Sequence, residues 1–184
     1  MTISHDSQVI LLLCSHLGLP ADPEFPPFTL RDWNPLAVKL QSASMRPSDL
    51  LEINSIGLQS QLNLTEEEAN RIANLLQRSG SLAIDLERLA SLGINVTTRV
   101  DSDYPERYKQ RLKGSAPSVL FYAGEKALLG QPGIAVIGSR NLDEVGQACA
   151  EFVGNACGIS GLVLYSGGAK GVDTLSMKAA LSAR

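Results

Sequence analysis

The sequence has few of the residues that build metal sites and histidine-dependent catalysts. Its 184 residues include three cysteines, without C-x-x-C spacing, and two histidines, His5 and His16, which lie far from the glycine-rich C-terminal half. An odd, unspaced set of cysteines indicates reduced thiols rather than a disulfide framework. We therefore expect no metal, no cofactor and no nucleophile activated by a nearby histidine.

Long apolar runs and a surplus of positive charge are absent as well. The N-terminal run "VILLLC" is too short to span a bilayer and lacks a basic flank and a cleavage site. We therefore predict a cytoplasmic protein without a membrane partner. The net charge of −3 gives no global attraction to nucleic acid, so such binding would require a local cluster of Arg and Lys.

Residues 1–92 predict a small all-helical module, similar to SAM or helix-hairpin-helix modules. Thr65 and Glu68 fit the capping box T-x-x-E at the start of one helix. Gly57 and Gly80 are expected to end helices. A module of this kind can grip a DNA backbone, or it can serve packing and partner binding alone. The turn "SIGL" matches a tight glycine hairpin poorly, and the sequence leaves both roles open.

Residues 93–184 alternate strand and helix patterns and form the second predicted domain. Apolar or β-branched strands are indicated at "INVTTRV", "SVLFYAG", "IAVIG" and "LVLYSG". The alternation predicts an α/β fold with a partial, doubly wound, Rossmann-like parallel sheet. The run "IAVIG" is almost continuously apolar, which is typical of a strand covered on both faces.

Glycine-rich turns follow the last two strands. The turn "GSR" begins at Gly138, and "SGGAKG" extends from Ser166 to Gly171. Since a single helix joins these strands, we expect them to be neighbours, with both loops facing one crevice at their carboxyl ends. An alternative is that the glycines serve tight turns alone and the nearby cations are merely solvated.

The composition of these loops suits a phosphate. Glycines let a ligand approach the backbone, and free N–H groups at a helix start attract anions. Arg140 can donate two parallel hydrogen bonds to a phosphate, and Lys170 adds a second positive charge. Asp173 is either a helix N-cap or an acceptor for a ligand hydroxyl or base. The patterns G-x-G-x-x-G and G-x-x-x-x-G-K-[ST] are absent, which disfavours dinucleotide and P-loop sites.

The same residues resemble a known family. "VIGSR" and "SGGAKGVDTLSMKAAL" are similar to the G-S-R turn and the S-G-x-A-R-G-I-D-x-x-A-H-x-x-A-L motif of the DprA/Smf family, DNA-processing proteins of natural transformation. "DSDYPERYKQRL" resembles the D-x-x-Y-P segment of that family, and the likeness extends from about residue 30 to the end. The candidate DNA- or phosphate-binding residues are Gly138, Ser139, Arg140, Ser166, Gly167, Gly168, Lys170, Gly171 and Asp173.

The resemblance implies an extended Rossmann fold without enzymatic activity. It implies binding and protection of incoming single-stranded DNA, with Arg140 and Lys170 on the backbone phosphates. It also implies assistance to the recombinase RecA in loading, and it leaves a homodimer open. Two other functions stay open: a non-catalytic nucleotide-sensing module, and a nucleotide phosphoribohydrolase of the LOG type, which the lack of a Glu after the glycines disfavours.

The sequence departs from the family pattern at three positions and at its end. Lys170 stands where the family has Arg, Met177 where it has His, and Gly168 where it often has a larger apolar residue. Lysine keeps the charge of arginine but not its two-pronged geometry. The chain ends at Arg184, before the further strands of the family's domain, so we expect a fragment with an incomplete DNA site.

Overall fold

Helices make up the chain before residue 93, as the sequence predicts. The structure is a computed structural model that describes residues 3–183. The helices before residue 93 are α1 (His5–Cys14), α2 (Leu30–Ser42), α3 (Ser55–Leu62), α4 (Glu66–Leu76) and α5 (Ser79–Ser91), with a 3-10 turn at Pro47–Leu51. Then follow β1 (Ile94–Thr98), α6 (Glu106–Leu112), β2 (Val119–Ala123), β3 (Gly133–Ala135), α7 (Glu144–Ile159), β4 (Val163–Tyr165) and α8 (Val172–Ser182), with 3-10 turns at Lys113–Ser115 and Lys126–Gly130.

The helices and strands divide into two compact units. The first is Met1–Lys126, and it holds the helices α1 to α6 together with β1 and β2. The second is Ala127–Arg184, and it holds β3, α7, β4 and α8. The domain limits expected from the sequence, 1–92 and 93–184, stay a prediction. No helix among residues 3–183 combines the length and the apolar character needed to cross a membrane.

Helix α1 lies at the centre of the first unit. Its residues 9–13, "VILLL", are completely buried. A helix that is apolar on every side needs neighbours on every side, and Leu36, Leu58 and Ile72 share the core with it. Because burial of each large aliphatic side chain contributes about 1.5–3 kcal/mol, α1 is a major source of stability for this unit.

The end of α1 is held by an arginine. The guanidinium of Arg78 donates to the carbonyl oxygens of Leu12 and Leu17, and its Nε donates to Leu75 O at 3.0 Å. These bonds satisfy carbonyl groups that a helix end would otherwise leave without partners. Burial lowers the pKa of Arg78.

The capping box at the start of α4 is confirmed. Thr65 Oγ1 accepts a hydrogen bond from Glu68 N at 3.2 Å, and Thr65 N donates to Glu68 Oε2 at 2.8 Å. The reciprocal bonds fix where α4 begins.

Gly57 and Gly80 do not end helices, so that prediction is wrong. Gly57 lies in the first turn of α3, where its N–H donates to Asn54 Oδ1 at 2.9 Å, and Gly80 lies in the first turn of α5. A glycine inside a helix costs about 1 kcal/mol relative to alanine. The burial of Leu58 and Leu82, each at most 1% exposed, outweighs that cost.

Strands β1 and β2 pair antiparallel, with Ile94 opposite Ala123 and Thr98 opposite Val119. Both strands are where the sequence predicts them, and the α/β class is confirmed. The parallel part of the predicted sheet is the pair β3 and β4, whereas β1 and β2 form an antiparallel pair of their own. In the segment between β1 and β2, the Tyr104 hydroxyl donates to the carbonyl oxygen of Pro117, just before β2. This bond helps to bring the chain back beside β1.

The second unit contains the predicted β–α–β arrangement. Strands β3 and β4 are parallel neighbours, with Gly133 opposite Val163 and Ala135 opposite Tyr165. Helix α7 joins them and packs on α8 so closely that a Cβ at Gly154 would overlap the backbone of α8. Coverage of β3 on both faces was predicted wrongly for the described residues, since all of β3 is exposed in this two-stranded sheet.

Candidate functional site

The two glycine-rich loops meet at the carboxyl ends of β3 and β4, as predicted. The backbone N–H of Val172, at the start of α8, donates to Ser139 O at 3.1 Å. Gly171 has a φ of +93°, and a Cβ there would overlap Ser139 O and lie 2.8 Å from the Cα of Arg140. A Cβ at Gly138 would overlap the side chain of Val172. Glycine is therefore required at both positions by the close approach of the loops.

A cavity of about 620 Å³ opens beside this junction. It is lined by Arg140, Asn141, Leu142, Gln147, Lys170, Gly171, Thr174 and Leu175. The side chains of Arg140 and Lys170 are exposed, and neither forms an ion pair within residues 3–183. Two uncompensated cations at one cavity favour an anionic ligand.

The cavity has a charged part and a neutral part. The cations come from the two loops, whereas the first residues of α7 and α8 supply Gln147, Thr174 and Leu175. The amide of Gln147 can both donate and accept hydrogen bonds. Such a division suits a ligand that carries a phosphate at one end and an uncharged, hydrogen-bonding group at the other.

Three of the predicted site residues line the cavity: Arg140, Lys170 and Gly171. Gly138 and Ser139 support the junction, and the Ser139 hydroxyl donates to Asn141 O at 2.6 Å, within its own loop. Gly167 and Gly168 are exposed at the second loop but do not line the cavity. A DNA contact at any of these positions stays a prediction.

Asp173 is buried, with 4% of its surface exposed. It follows Val172 in the first turn of α8, whose N-cap is Gly171, so the N-cap interpretation is wrong. Its Oδ2 accepts a hydrogen bond from Ala169 N at 3.4 Å, and the Thr174 hydroxyl donates to Ala169 O at 2.6 Å. Asp173 and Thr174 thus attach the second loop to α8. A direct ligand contact of Asp173 stays a prediction.

Ser166 differs from its neighbours because its hydroxyl is buried without a hydrogen-bond partner among the described residues. A buried, unsatisfied polar group costs about 1–3 kcal/mol. Ser166 directly follows β4, at the start of the second loop. It is a point where the loop gains stability if a ligand or a water supplies the missing partner.

Sequence reasoning missed five residues of the cavity: Asn141, Leu142, Gln147, Thr174 and Leu175. The available signal was their spacing. Each lies within a few residues of a glycine loop, in the segment that leads into a helix or in its first turns, and such positions border the ligand crevice of an α/β sheet.

Met177, which departs from the family pattern, lies away from this cavity. It lines a smaller cavity of about 160 Å³ together with Leu128 and Leu181. Its side chain therefore does not alter the charged junction of the two loops.

Comparison with known proteins identifies similar chains. The sequence model of the family described as "DNA recombination-mediator protein A" matches residues 95–184. The X-ray structure of DNA processing protein A (DprA) from Streptococcus pneumoniae is similar to the whole chain, with a TM-score of 0.64 and 20% sequence identity. The match covers 100% of this chain and 56% of that structure, so this chain spans little more than half its length. No curated protein matches the sequence.

Proposed function

Because the chain belongs to the DprA/Smf family, we propose that it is a non-catalytic, cytoplasmic DNA-processing protein that binds single-stranded DNA. In this role it would protect incoming DNA during transformation and assist loading of the recombinase RecA. The observation that supports the proposal is the junction of the two glycine loops, where Arg140 and Lys170 share one cavity.

A strand phosphate fits this junction for electrostatic reasons. The planar guanidinium of Arg140 can donate two parallel hydrogen bonds to phosphate oxygens, and the ammonium of Lys170 acts as a mobile point charge. The chain carries a net charge of −3, so binding depends on these local cations rather than on a global field. Affinity should therefore fall steeply as salt rises.

The size of the cavity supports a second candidate. About 620 Å³ lies within the usual range of small-molecule sites, so a free nucleotide would fit with its phosphate at Arg140 and its base near Gln147. A nucleotide-sensing module and a DNA-binding protein then differ in one respect. The first is saturated by mononucleotide, whereas the second gains affinity with oligonucleotide length.

The test is fluorescence anisotropy with labelled oligonucleotides of 6, 12 and 24 nucleotides, chosen as about one to several binding-site lengths. Double-stranded DNA and free nucleotide serve as competitors, at two salt concentrations. Arg140→Ala should weaken binding to single strands by about tenfold or more, because it removes a charge-assisted contact of about 1.5–3 kcal/mol. Arg88→Ala, at an exposed position on α5, is the matched control.

Length-dependent, salt-sensitive binding that Arg140→Ala weakens and Arg88→Ala leaves intact would support the proposal. Competition by free nucleotide as strong as by an oligonucleotide would favour the sensing function instead. Binding that is equally strong in Arg140→Ala would mean that the loop junction is not the site.

A further inference from the structure

A second group of cations lies in the first unit and takes no part in the loop junction. Residues 107–113 contain four cations and no acidic residue, in a chain whose net charge is −3. Arg107 and Arg111 are exposed and are separated by one turn of α6, so they share a helix face. Lys109 packs over the ring of Tyr104 instead, with its Nζ 5.5 Å from the ring centre.

Lys113, directly after α6, has a strained backbone. Its φ is +50° and its ψ is −121°. Side chains with a Cβ rarely adopt positive φ, whereas glycine does so without steric cost. Residues in such conformations cluster at functional sites, and among residues 3–183 Lys113 is the one non-glycine residue with positive φ that carries a charge.

Neighbouring groups hold this strained turn in place. The guanidinium of Arg99 donates to Lys113 O and to Ala116 O, each at 3.4 Å, and the Asn34 side-chain amide donates to Gly114 O at 2.9 Å. Three carbonyl groups of the turn thus have hydrogen-bond donors. The side chain of Lys113 itself is exposed and forms no ion pair in the described part of the chain.

Within residues 3–183, no acidic residue forms an ion pair with Arg111 or Lys113. Asp103 forms an ion pair with Lys126, and Asp101 accepts hydrogen bonds from Ser7 and Thr98. Glu106, at the start of α6, lies within 3.5 Å of the side-chain amide of Gln110. Arg111 and Lys113 therefore keep a local positive potential.

We propose that Arg111 and Lys113 form a second phosphate-contact surface for single-stranded DNA, on the first unit. The inference rests on the proposed function and extends the contact beyond the loop junction. Lys113 keeps its charge at the expense of backbone strain, because glycine would fit the turn but would contribute no contact. Both side chains are cations, so they contact the strand through its phosphates and not through its sequence.

The substitution Lys113→Gly tests both parts of the inference at once. It should raise the urea midpoint of the first unit, because it relieves the positive φ. It should also weaken binding to a 24-nucleotide single strand by about three- to tenfold, and lower the slope of log affinity against log salt by about 0.7, as expected for one lost phosphate contact. Arg111→Gln should weaken binding similarly without raising the midpoint.

Two matched variants separate strain from charge. Ser44→Gly relieves another positive φ, of +56°, without changing charge, so it should raise the midpoint and leave binding unchanged. Arg88→Gln removes an exposed cation of α5 and should leave the salt slope unchanged.

Suppose that Arg140→Ala weakens binding to single-stranded DNA, but Lys113→Gly and Arg111→Gln change neither the affinity nor the salt slope. That result would overturn this inference and leave the proposed function standing. Weakening by Lys113→Gly and Arg111→Gln but not by Arg140→Ala would support this surface and refute the loop junction. A wild-type chain that binds no single strand would refute both.

Discussion

Gly171→Ala tests whether the contact between the two loops supports the second unit. Gly171 has a φ of +93°, and an added Cβ would overlap Ser139 O and approach the backbone of Arg140. Positive φ for alanine costs about 1–2 kcal/mol, and overpacking against backbone adds about 1–3 kcal/mol. We therefore expect a loss of about 2–5 kcal/mol, which is a large share of a typical stability of about 5–15 kcal/mol.

Gly168→Ala is the matched control for this substitution. Gly168 lies in the same loop with a φ of +70°, but a Cβ there meets nothing within 4 Å. Its cost should be strain alone, about 1–2 kcal/mol. The difference between the two variants isolates the contribution of the loop contact.

The assay needs a probe that lies within the second unit. Cys157 on α7 is 1% exposed, so its labelling by a thiol reagent reports opening of that unit. Urea titrations of the two variants, with labelling of Cys157 followed by peptide mass spectrometry, give the free energy of opening. Equal losses for Gly171→Ala and Gly168→Ala would refute the close loop contact.

Two further predictions concern titration and thiol chemistry. Burial alone would raise the pKa of Asp6, but hydrogen bonds from Arg46 and Ser48 outweigh it and lower the pKa, while the Lys126 hydrogen bond lowers the pKa of Asp103. At low pH the unfolded chain therefore binds more protons than the folded chain, so stability that is present above about pH 4 should be lost as pH falls further. Urea midpoints measured from pH 7 to 3 test this, and Asp6→Asn should flatten the dependence of the midpoint on pH. Burial raises the pKa of Cys14 to about 12, so iodoacetamide at pH 8 should modify exposed Cys149 and spare Cys14; equal labelling of native Cys14 and Cys149 would contradict the buried position of α1.

The positions of elements were more predictable than their pairing. Local signals such as the Thr65 capping box and the apolar periodicity of α7 act within a few residues, so the sequence states them directly. Whether β1 pairs with β2 or with a later strand depends on contacts across the chain, such as the Tyr104 bond that closes the connecting segment. Helix ends at glycine were predicted wrongly at Gly57 for the same reason, because core burial overrides local propensity.

The charged residues of the candidate site could be predicted from the sequence, whereas the uncharged residues that line the rest of the cavity could not. Glycine and cation types identify a loop that suits an anion, so Arg140 and Lys170 could be named from the sequence. Gln147 and Leu175 have no distinctive motif, and only the placement of the first turns of α7 and α8 brings them to the cavity. The tight contact at Gly171 also depends on the approach of the first loop, which no local pattern records.

The two cationic surfaces use positive φ in opposite ways. Gly171 precedes α8 and Lys113 follows α6, each at a helix terminus with left-handed backbone. At 171 the neighbouring loop leaves no room for a Cβ, so the geometry alone requires glycine and the adjacent Lys170 supplies the charge. At 113 a Cβ is tolerated at the cost of strain, so nothing in the packing prevents glycine there. A lysine that persists where glycine would be more stable is best explained by a function of its side chain, since proteins give up stability at sites of function.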